Sequence, residues 1–267
     1  MKSCDYNKVL ITGGAGFIGV NYARHMLELG LEVVICDNFS RGIGCYYNVK
    51  WLQSSPKAKK NLTIHKCDIR DYEKLYEIAK DCDLIIHAAA QTSVPISIKD
   101  PRLYFEVNVI GTFNIVEVVR KSGTDAAVIN MSSNKVYGKP KMKLKELEKR
   151  YEFVKATKGI NEYHPTEAQD PYGISKLVSE YYVSLYSKLY GLKATNLRLA
   201  LTYGPRQWGT EAQGFVAWFC IAYALDKRIR IFGNGKQVRD LLYIDDAVNA
   251  IDLAIEYIDK ILSLIHI

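Results

Sequence analysis

The sequence predicts an α/β protein built on a doubly wound parallel sheet, and three features predict it. Val9, Leu10 and Ile11 form an uninterrupted apolar run, as a parallel strand buried on both faces requires, and glycines follow at once. Apolar runs of strand length then alternate with segments of helical spacing through most of the 267 residues. Gly13, Gly16 and Gly19 stand between the first strand and the first helix, and Asp37 closes the second strand 18 residues after Gly19.

Each element has its own warrant. Phe17 to Gly30 has helical spacing, with Phe17, Ile18, Tyr22, Met26 and Leu27 expected to face the sheet and Gly30 to stop the helix. Glu32 to Cys36 reads as the second strand. Further strands are expected near Thr63 to Lys66, Leu84 to Ala88, Ala127 to Met131 and Lys193 to Leu199. Helices are expected near Tyr72 to Lys80, Leu103 to Lys121 and Tyr172 to Tyr190, with an amphipathic helix over Ile244 to Ile261 returning to the main body. The charged, weakly patterned segment Lys139 to Pro171 breaks the rhythm, and its length marks it as functional or family-specific.

The glycines have a physical purpose. A dinucleotide pyrophosphate must approach the backbone closely at the positive end of the following helix, and a Cβ would hold it away. Gly13, Gly16 and Gly19 satisfy G-x-x-G-x-x-G, while Gly14, Gly16 and Gly19 satisfy the looser G-x-G-x-x-G. A carboxylate at Asp37 can accept hydrogen bonds from the adenosine ribose, which favours NAD over NADP. Arg41 has two readings, a 2′-phosphate partner or a solvated or adenine-stacking side chain. Other loops at the carboxyl ends of strands should converge on the same edge: Asp68 and Ile69 at the adenine, and His87 to Gln91, whose alanines let a dinucleotide lie close. His87 itself is read as a packed, hydrogen-bonded histidine.

Composition bounds the class. At 48% hydrophobic residues the chain can bury a full core, and its net charge of +7 is spread over lysine-rich helices and Lys139 to Arg150 without interleaved aromatics, which argues against nucleic acid. Six cysteines, Cys4, Cys36, Cys45, Cys67, Cys82 and Cys220, lie far apart with no C-x-x-C pair, so no metal site and no disulfide framework is expected. No apolar run approaches membrane-spanning length and no apolar leader precedes the first strand, from which a cytoplasmic location is expected.

The chemistry is expected after the fifth strand and at the next helix. Ser132 and Ser133 follow Met131, and Tyr172 and Lys176, four apart, share one helix face behind Pro171. An ammonium beside the phenol, helped by an oxidised nicotinamide, is expected to lower the tyrosine pKa so that tyrosinate accepts a hydroxyl proton, while a serine orients that hydroxyl.

TGGAGFIG, DNFSRG, HAAAQTS, VNVIGTFN, SSNKVYG, PYGISK, YGPRQ and GNGKQVRDLLYIDD together resemble the successive motifs of the extended short-chain dehydrogenase/reductase family of nucleotide-sugar epimerases and dehydratases, from about Lys8 to Ile258. The resemblance implies a Rossmann-type NAD domain over residues 1–198 and a partial nucleotide-sugar region over 199–261. It implies Ser133 as the catalytic hydroxyl, Tyr172 as the base, and Lys176 as its partner and ribose ligand. Asn38, Ser40, Asn108, Ala88 and Ala89 join the cofactor site, and Gln91, Ser133, Asn134, Arg206 and Arg239 the substrate site. For the two arginines, surface side chains on loops are the other reading. Pairing of two chains through the helices at Leu103 to Lys121 and Tyr172 to Tyr190 is implied as well.

Within that family, 4,6-dehydratases carry an Asp-Glu pair where this chain has Asn134-Lys135, so elimination of water is not expected. SSNKVYG, the long insertion, YGPRQ, GFVAWF and GNGKQVRD resemble the branch that epimerises CDP-linked sugars at C2. The alternatives are a UDP- or dTDP-sugar 4-epimerase and a non-catalytic dinucleotide sensor. Relatives continue with a further strand and helices, whereas Leu262 to Ile267 resembles the translation of a sequencing-library transposon end. Residues 262–267 are therefore read as a non-native tail in which His266 has no role, and the chain as written is expected to bind NAD without turning over a nucleotide sugar.

Overall fold

The computed structural model describes residues 6–139, 141–155, 159–261 and 264–266; Cys4, Leu262, Ser263 and Ile267 lie outside the described residues. The chain begins with β1 (Lys8–Thr12), α1 (Phe17–Leu29), β2 (Glu32–Asp37), α2 (Ile43–Gln53), α3 (Ala58–Asn61), β3 (Leu62–Lys66), α4 (Tyr72–Ala79) and β4 (Leu84–His87). It continues through α5 (Val94–Lys99), α6 (Pro101–Tyr104), a π-helical turn over Phe105–Ile110, α7 (Gly111–Ser122), β5 (Ala127–Ser133), a 3-10 turn over Asn134–Tyr137, β6 (Leu144–Glu146) and β7 (Tyr151–Phe153). The last elements are α8 (Pro171–Tyr190), β8 (Ala194–Leu199), β9 (Leu201–Tyr203), α9 (Phe215–Ala224), β10 (Leu241–Tyr243), α10 (Ile244–Glu256) and β11 (Leu264–His266).

Seven strands form one parallel sheet in the order β11-β8-β5-β4-β1-β2-β3. The order reverses at β1, whose Thr12 is registered with Cys36 of β2 on one side and His87 of β4 on the other. The loops after β1 and β4 leave in opposite directions there and open a crevice at the carboxyl edge, the place where such sheets bind ligands.

Strand side chains alternate between two cores. Val9, Ile11, Ile35, Ile86 and Ile129 pack with Tyr22, Met26 and Leu27 of α1 and Ile251 and Ile255 of α10. Leu10, Val34, Ile85 and Val128 face the other way, onto Leu75 of α4, Ile115 and Val119 of α7 and Val183 of α8. Burial of each such side chain stabilises by roughly 1.5–3 kcal/mol, so both faces of the sheet are anchored independently.

The structure corrects several expectations. Phe17 does not join the core under the sheet, whereas Ile18 packs against its edge; both are half-buried at the start of α1 and line the crevice. Strand β5 runs on to include Ser132 and Ser133, because both continue its ladder opposite Arg198 and Leu199 of β8. The single helix expected over Leu103 to Lys121 is instead α6, the π-helical turn and α7. The returning helix stops at Glu256, and α2 and α5 were not anticipated. Helix α2 is hidden from pattern reading because Ile43, Tyr46 and Tyr47 are exposed apolar residues on its outer side. Part of Lys139 to Pro171 is a β6–β7 hairpin, tied by Lys236 Nζ donating to Glu146 Oε1 at 2.7 Å. Leu264–His266 pairs in parallel with Asn196–Arg198 at the sheet edge.

Candidate active site

The turn after β1 is packed so tightly that only glycine fits at three of its positions. A Cβ on Gly13 would lie 2.7 Å from Ala89 Cα, and one on Gly19 would lie 2.3 Å from the Gly13 carbonyl oxygen. Gly14 is equally constrained, against Ile35, but beneath the turn and not on the crevice wall. Gly16 is open apart from the Gly13 oxygen, and as N-cap of α1 it contributes no side chain to the first-turn N–H groups. No acidic residue lies in that first turn, so the positive end of a 13-residue helix faces the crevice.

Of the residues expected at a cofactor, Gly13, Gly16, Phe17, Ile18, Gly19, Asp37, Asn38, Ser40, Arg41, Asp68, Ile69, Ala88 and Ala89 line one groove, joined by Gln91 and Arg206. Asp37 accepts from the backbone N–H of Phe39 at 2.7 Å and of Ala15 at 3.0 Å. Burial raises its carboxyl pKa, opposed by those two N–H groups and by Arg41. Asp68 is held by the Arg70 guanidinium and by Asn38 Nδ2, which together bring its pKa down to about 2. Arg41 spans the groove rim: it donates to Thr92 Oγ1 at 2.6 Å and to the side chain of Gln213, which in turn donates to Thr92.

Three of the expected ligands are engaged within the chain itself. Asn108 does not reach the groove; from the π-helical turn it accepts from Gln91 N at 2.8 Å and donates to Gln91 O at 3.0 Å and Ser175 Oγ at 2.8 Å. It therefore splints the loop after β4 onto α8, and the widened turn is what aims it there. Arg206 lies on the groove wall but its guanidinium is stacked 3.9 Å from the Trp51 ring centroid and donates to Asn21 Oδ1. Arg239 is exposed on the loop before β10 and away from the groove, donating to its neighbour's carbonyl.

Ser133, Tyr172 and Lys176 do come together. Helix α8 starts at Pro171 because Asp170 caps it, accepting from Gly173 N at 2.8 Å, and this places Tyr172 and Lys176 against the end of β5. Ser133 lies beside the Tyr172 phenol and acts to lower its pKa. Lys176, 3% exposed, donates from Nζ to Met131 O at 2.7 Å. Burial pushes its pKa down to about 8, against a raising influence of Glu180. The expected lowering of the tyrosine pKa is not present in the chain alone: burial raises it, and Ser133 only partly opposes this. Asn134 is half-buried beside Ser133 at the head of the 3-10 turn.

His87 is fully buried and neutral. Its Nδ1 meets Thr12 Oγ1 at 2.7 Å and its Nε2 meets Thr112 Oγ1 at 3.0 Å, and burial pushes its pKa down to about 3. Among the described residues no group of three histidine, cysteine or acidic side chains is placed to hold a metal ion, and no helix is long and apolar enough to cross a membrane.

Pattern reading missed several residues. Asn48 of α2 donates to Ala15 O at 2.9 Å and accepts from Trp208 Nε1 at 3.0 Å, locking the glycine turn to the loop after β9. Glu180 and Arg198 form an ion pair that is buried on both sides, Nη2 to Oε2 at 2.7 Å. A signal existed for the pair: Glu180 is four residues beyond Lys176 on one helix face, and Arg198 is a charge within a strand that is buried throughout.

Residues 9–265 match the NAD dependent epimerase/dehydratase family. The chain is 36% identical over 262 residues to the CDP-paratose 2-epimerase of Salmonella typhi, covering 95% of this chain and 76% of that protein. It is 34% identical over 257 residues to a putative UDP-glucose 4-epimerase of Methanocaldococcus jannaschii, covering 96% and 76%. Its fold is similar to that of the UDP-glucose 4-epimerase of Thermus thermophilus in complex with NAD, with a TM-score of 0.75, 32% identity, and coverage of 97% of this chain and 76% of that one.

Proposed function

Because the chain belongs to the NAD dependent epimerase/dehydratase family, we propose that it inverts one carbon of a nucleotide-linked sugar, and that this sugar is CDP-linked and changed at C2, as for CDP-paratose 2-epimerase. The cofactor is NAD, and the groove suits it. The glycine turn and the uncapped start of α1 would hold the pyrophosphate, Asp37 the adenosine ribose, and Asn38, Ser40, Asp68 and Ile69 the adenine end. Ala88 and Ala89 leave its backbone side open. When bound, NAD supplies a reversible hydride acceptor for the sugar carbon.

The observation that carries the reading is the convergence of Ser133 on the Tyr172 phenol, with Lys176 one helical turn on. Tyr172 takes the proton of the sugar hydroxyl, and Ser133 orients that hydroxyl. Lys176 has two donors beyond the one given to Met131, which suit the ribose and the phenolate. The burial that raises the Tyr172 pKa in the chain alone must be offset by positive charge at the completed site, from the Lys176 ammonium and the oxidised nicotinamide. Asn134 and the exposed Lys135 supply neither the carboxylic acid nor the carboxylate that elimination of water requires, which favours epimerisation over dehydration.

Gln91, Ser133, Asn134 and Arg206 are proposed to face the sugar and diphosphate, with 199–261 as part of the nucleotide-sugar region. We further propose pairing of two chains through α7 and α8, supported by Tyr181, Leu185 and Leu189 of α8 being exposed. Incubation with CDP-paratose and, separately, UDP-galactose, followed by NMR of the sugars, tests the substrate; turnover of UDP-galactose alone would establish the 4-epimerase reading instead. The chain is assayed beside a version extended by a relative's C-terminal segment of about 75 residues, the difference in size usual for such two-part proteins. Deuterium on the oxidised carbon is expected to be retained in the product. Tyr172→Phe should abolish turnover while NAD stays bound, which also separates an enzyme from a dinucleotide sensor.

A further inference from the structure

Three side chains spaced four apart on α8 each meet one of three consecutive residues of β5. Tyr172 lies beside Ser133, Lys176 bonds the Met131 carbonyl, and Glu180 accepts from Ser132 Oγ at 2.5 Å. Glu180 is only 3% exposed, and Arg198, registered beside Ser132 on β8, grips it through Nε at 3.0 Å and Nη2 at 2.7 Å. The guanidinium also lies 4.7 Å from the ring centroid of Tyr137, four residues beyond Ser133. A buried ion pair is a weak source of stability, because desolvating both charges offsets most of their attraction. Stability alone therefore does not account for this one.

Resting on the base assignment above, we propose that Glu180, fixed by Arg198, is a positioning residue for proton transfer: it clamps the end of β5 to α8 and supplies the buried negative charge that faces Lys176. The groups around Lys176 leave that task to Glu180. His87 from β4 is neutral, Tyr172 is uncharged at rest, β5 offers a carbonyl and two hydroxyls, and Arg198 from β8 is spent on Glu180 itself. Without the carboxylate, burial of the ammonium goes unopposed, and Lys176 loses its proton at a lower pH. Tyr172 then loses the positive neighbour that makes its phenolate accessible.

The test is an ultraviolet titration of tyrosinate in the NAD-loaded chain, which needs no turnover. The component due to Tyr172 is the difference between each protein and its counterpart carrying Tyr172→Phe. Asp170, Tyr104 and Arg41, which also act on Tyr172, are untouched throughout. In Glu180→Gln/Arg198→Met, which removes both charges but keeps an acceptor for Ser132, that component should titrate about 1–2 pH units higher. Glu180→Asp, which retains the charge, should stay near the parent. Should the first variant fail to fold, Glu180→Leu/Arg198→Met/Ser132→Ala removes the whole polar cluster and carries the same expectation. An unmoved midpoint in a folded, NAD-binding variant would overturn the role of Glu180. A parent in which Tyr172→Phe removes no titrating component would overturn the base assignment, and this proposal with it.

Discussion

Replacing Gly19 by alanine is a severe single-methyl change in the wall of the groove. The added carbon would sit 2.3 Å from the Gly13 carbonyl oxygen, 2.7 Å from Gly14 Cα and 2.9 Å from Gly13 C, all backbone atoms with no rotamer to yield. Relief needs a shift of about 1 Å, to the ordinary carbon–oxygen separation at which dispersion is favourable. The turn cannot recede, because Gly13 already abuts Ala89 and donates to Cys36 O at 2.8 Å. Overpacking of this kind costs about 1–3 kcal/mol, while alanine returns at most about 1 kcal/mol of helix propensity. A net loss of about 1–2 kcal/mol lowers Tm by roughly 2–8 °C in a chain of this size. The displaced turn also misplaces the N–H groups meant for the pyrophosphate, and NAD affinity should fall at least about tenfold, or 1.4 kcal/mol. Thermal melts with and without NAD, with isothermal titration of the cofactor, read both effects. Gly16→Ala is the comparison: its methyl meets only one oxygen, at 3.1 Å, so binding should suffer more than stability. A Gly19→Ala protein with the parent's Tm and NAD affinity would refute the close-packing argument.

Burial holds the Lys176 pKa near 8 against an unperturbed 10.5, so between those values the unfolded chain binds more protons than the folded one and stability rises with pH. Lys176→Met should flatten that rise, which melts across the window would show; an unchanged slope would contradict the assigned burial. Asp37→Ala removes the acceptor for Ala15 and Phe39 and the proposed ribose ligand, and should weaken NAD by about 1–3 kcal/mol in titration calorimetry. Leu185→Glu on the exposed side of α8 should convert a dimer seen by light scattering into monomer, whereas a parent that is already monomeric at micromolar concentration would remove the pairing proposal.

The sheet and its ligand edge were legible because their signals are local. An apolar run ending in glycines, or a proline behind an aspartate before Tyr172, states its own conformation. What escaped was set by contacts distant in sequence. Asn108 looked like a cofactor ligand until the π-helical turn aimed it at Gln91, 17 residues away, and no pattern within the helix announces that bulge. Arg206 was legible as a candidate phosphate ligand by type, but its stacking on Trp51, contributed by another part of the chain, was not. Helix α2 has apolar residues on its solvent side, so its period was masked. In the chain alone the phenol's pKa is raised, because burial of Tyr172 is a property of the assembled site and not of the Tyr-Lys spacing.

The contact of Arg41 with Thr92 and Gln213 joins three loops: the one after β2, the one after β4, and the one before α9. A dinucleotide bound in the groove beneath that rim would be held by the groove and timed by the bridge. Its escape would then wait on a local opening of those polar contacts, while its equilibrium affinity would be set by the glycine turn and Asp37 below. Residence and affinity are then separately adjustable, and a cofactor that must be returned to its starting state in every cycle can stay in place through many of them.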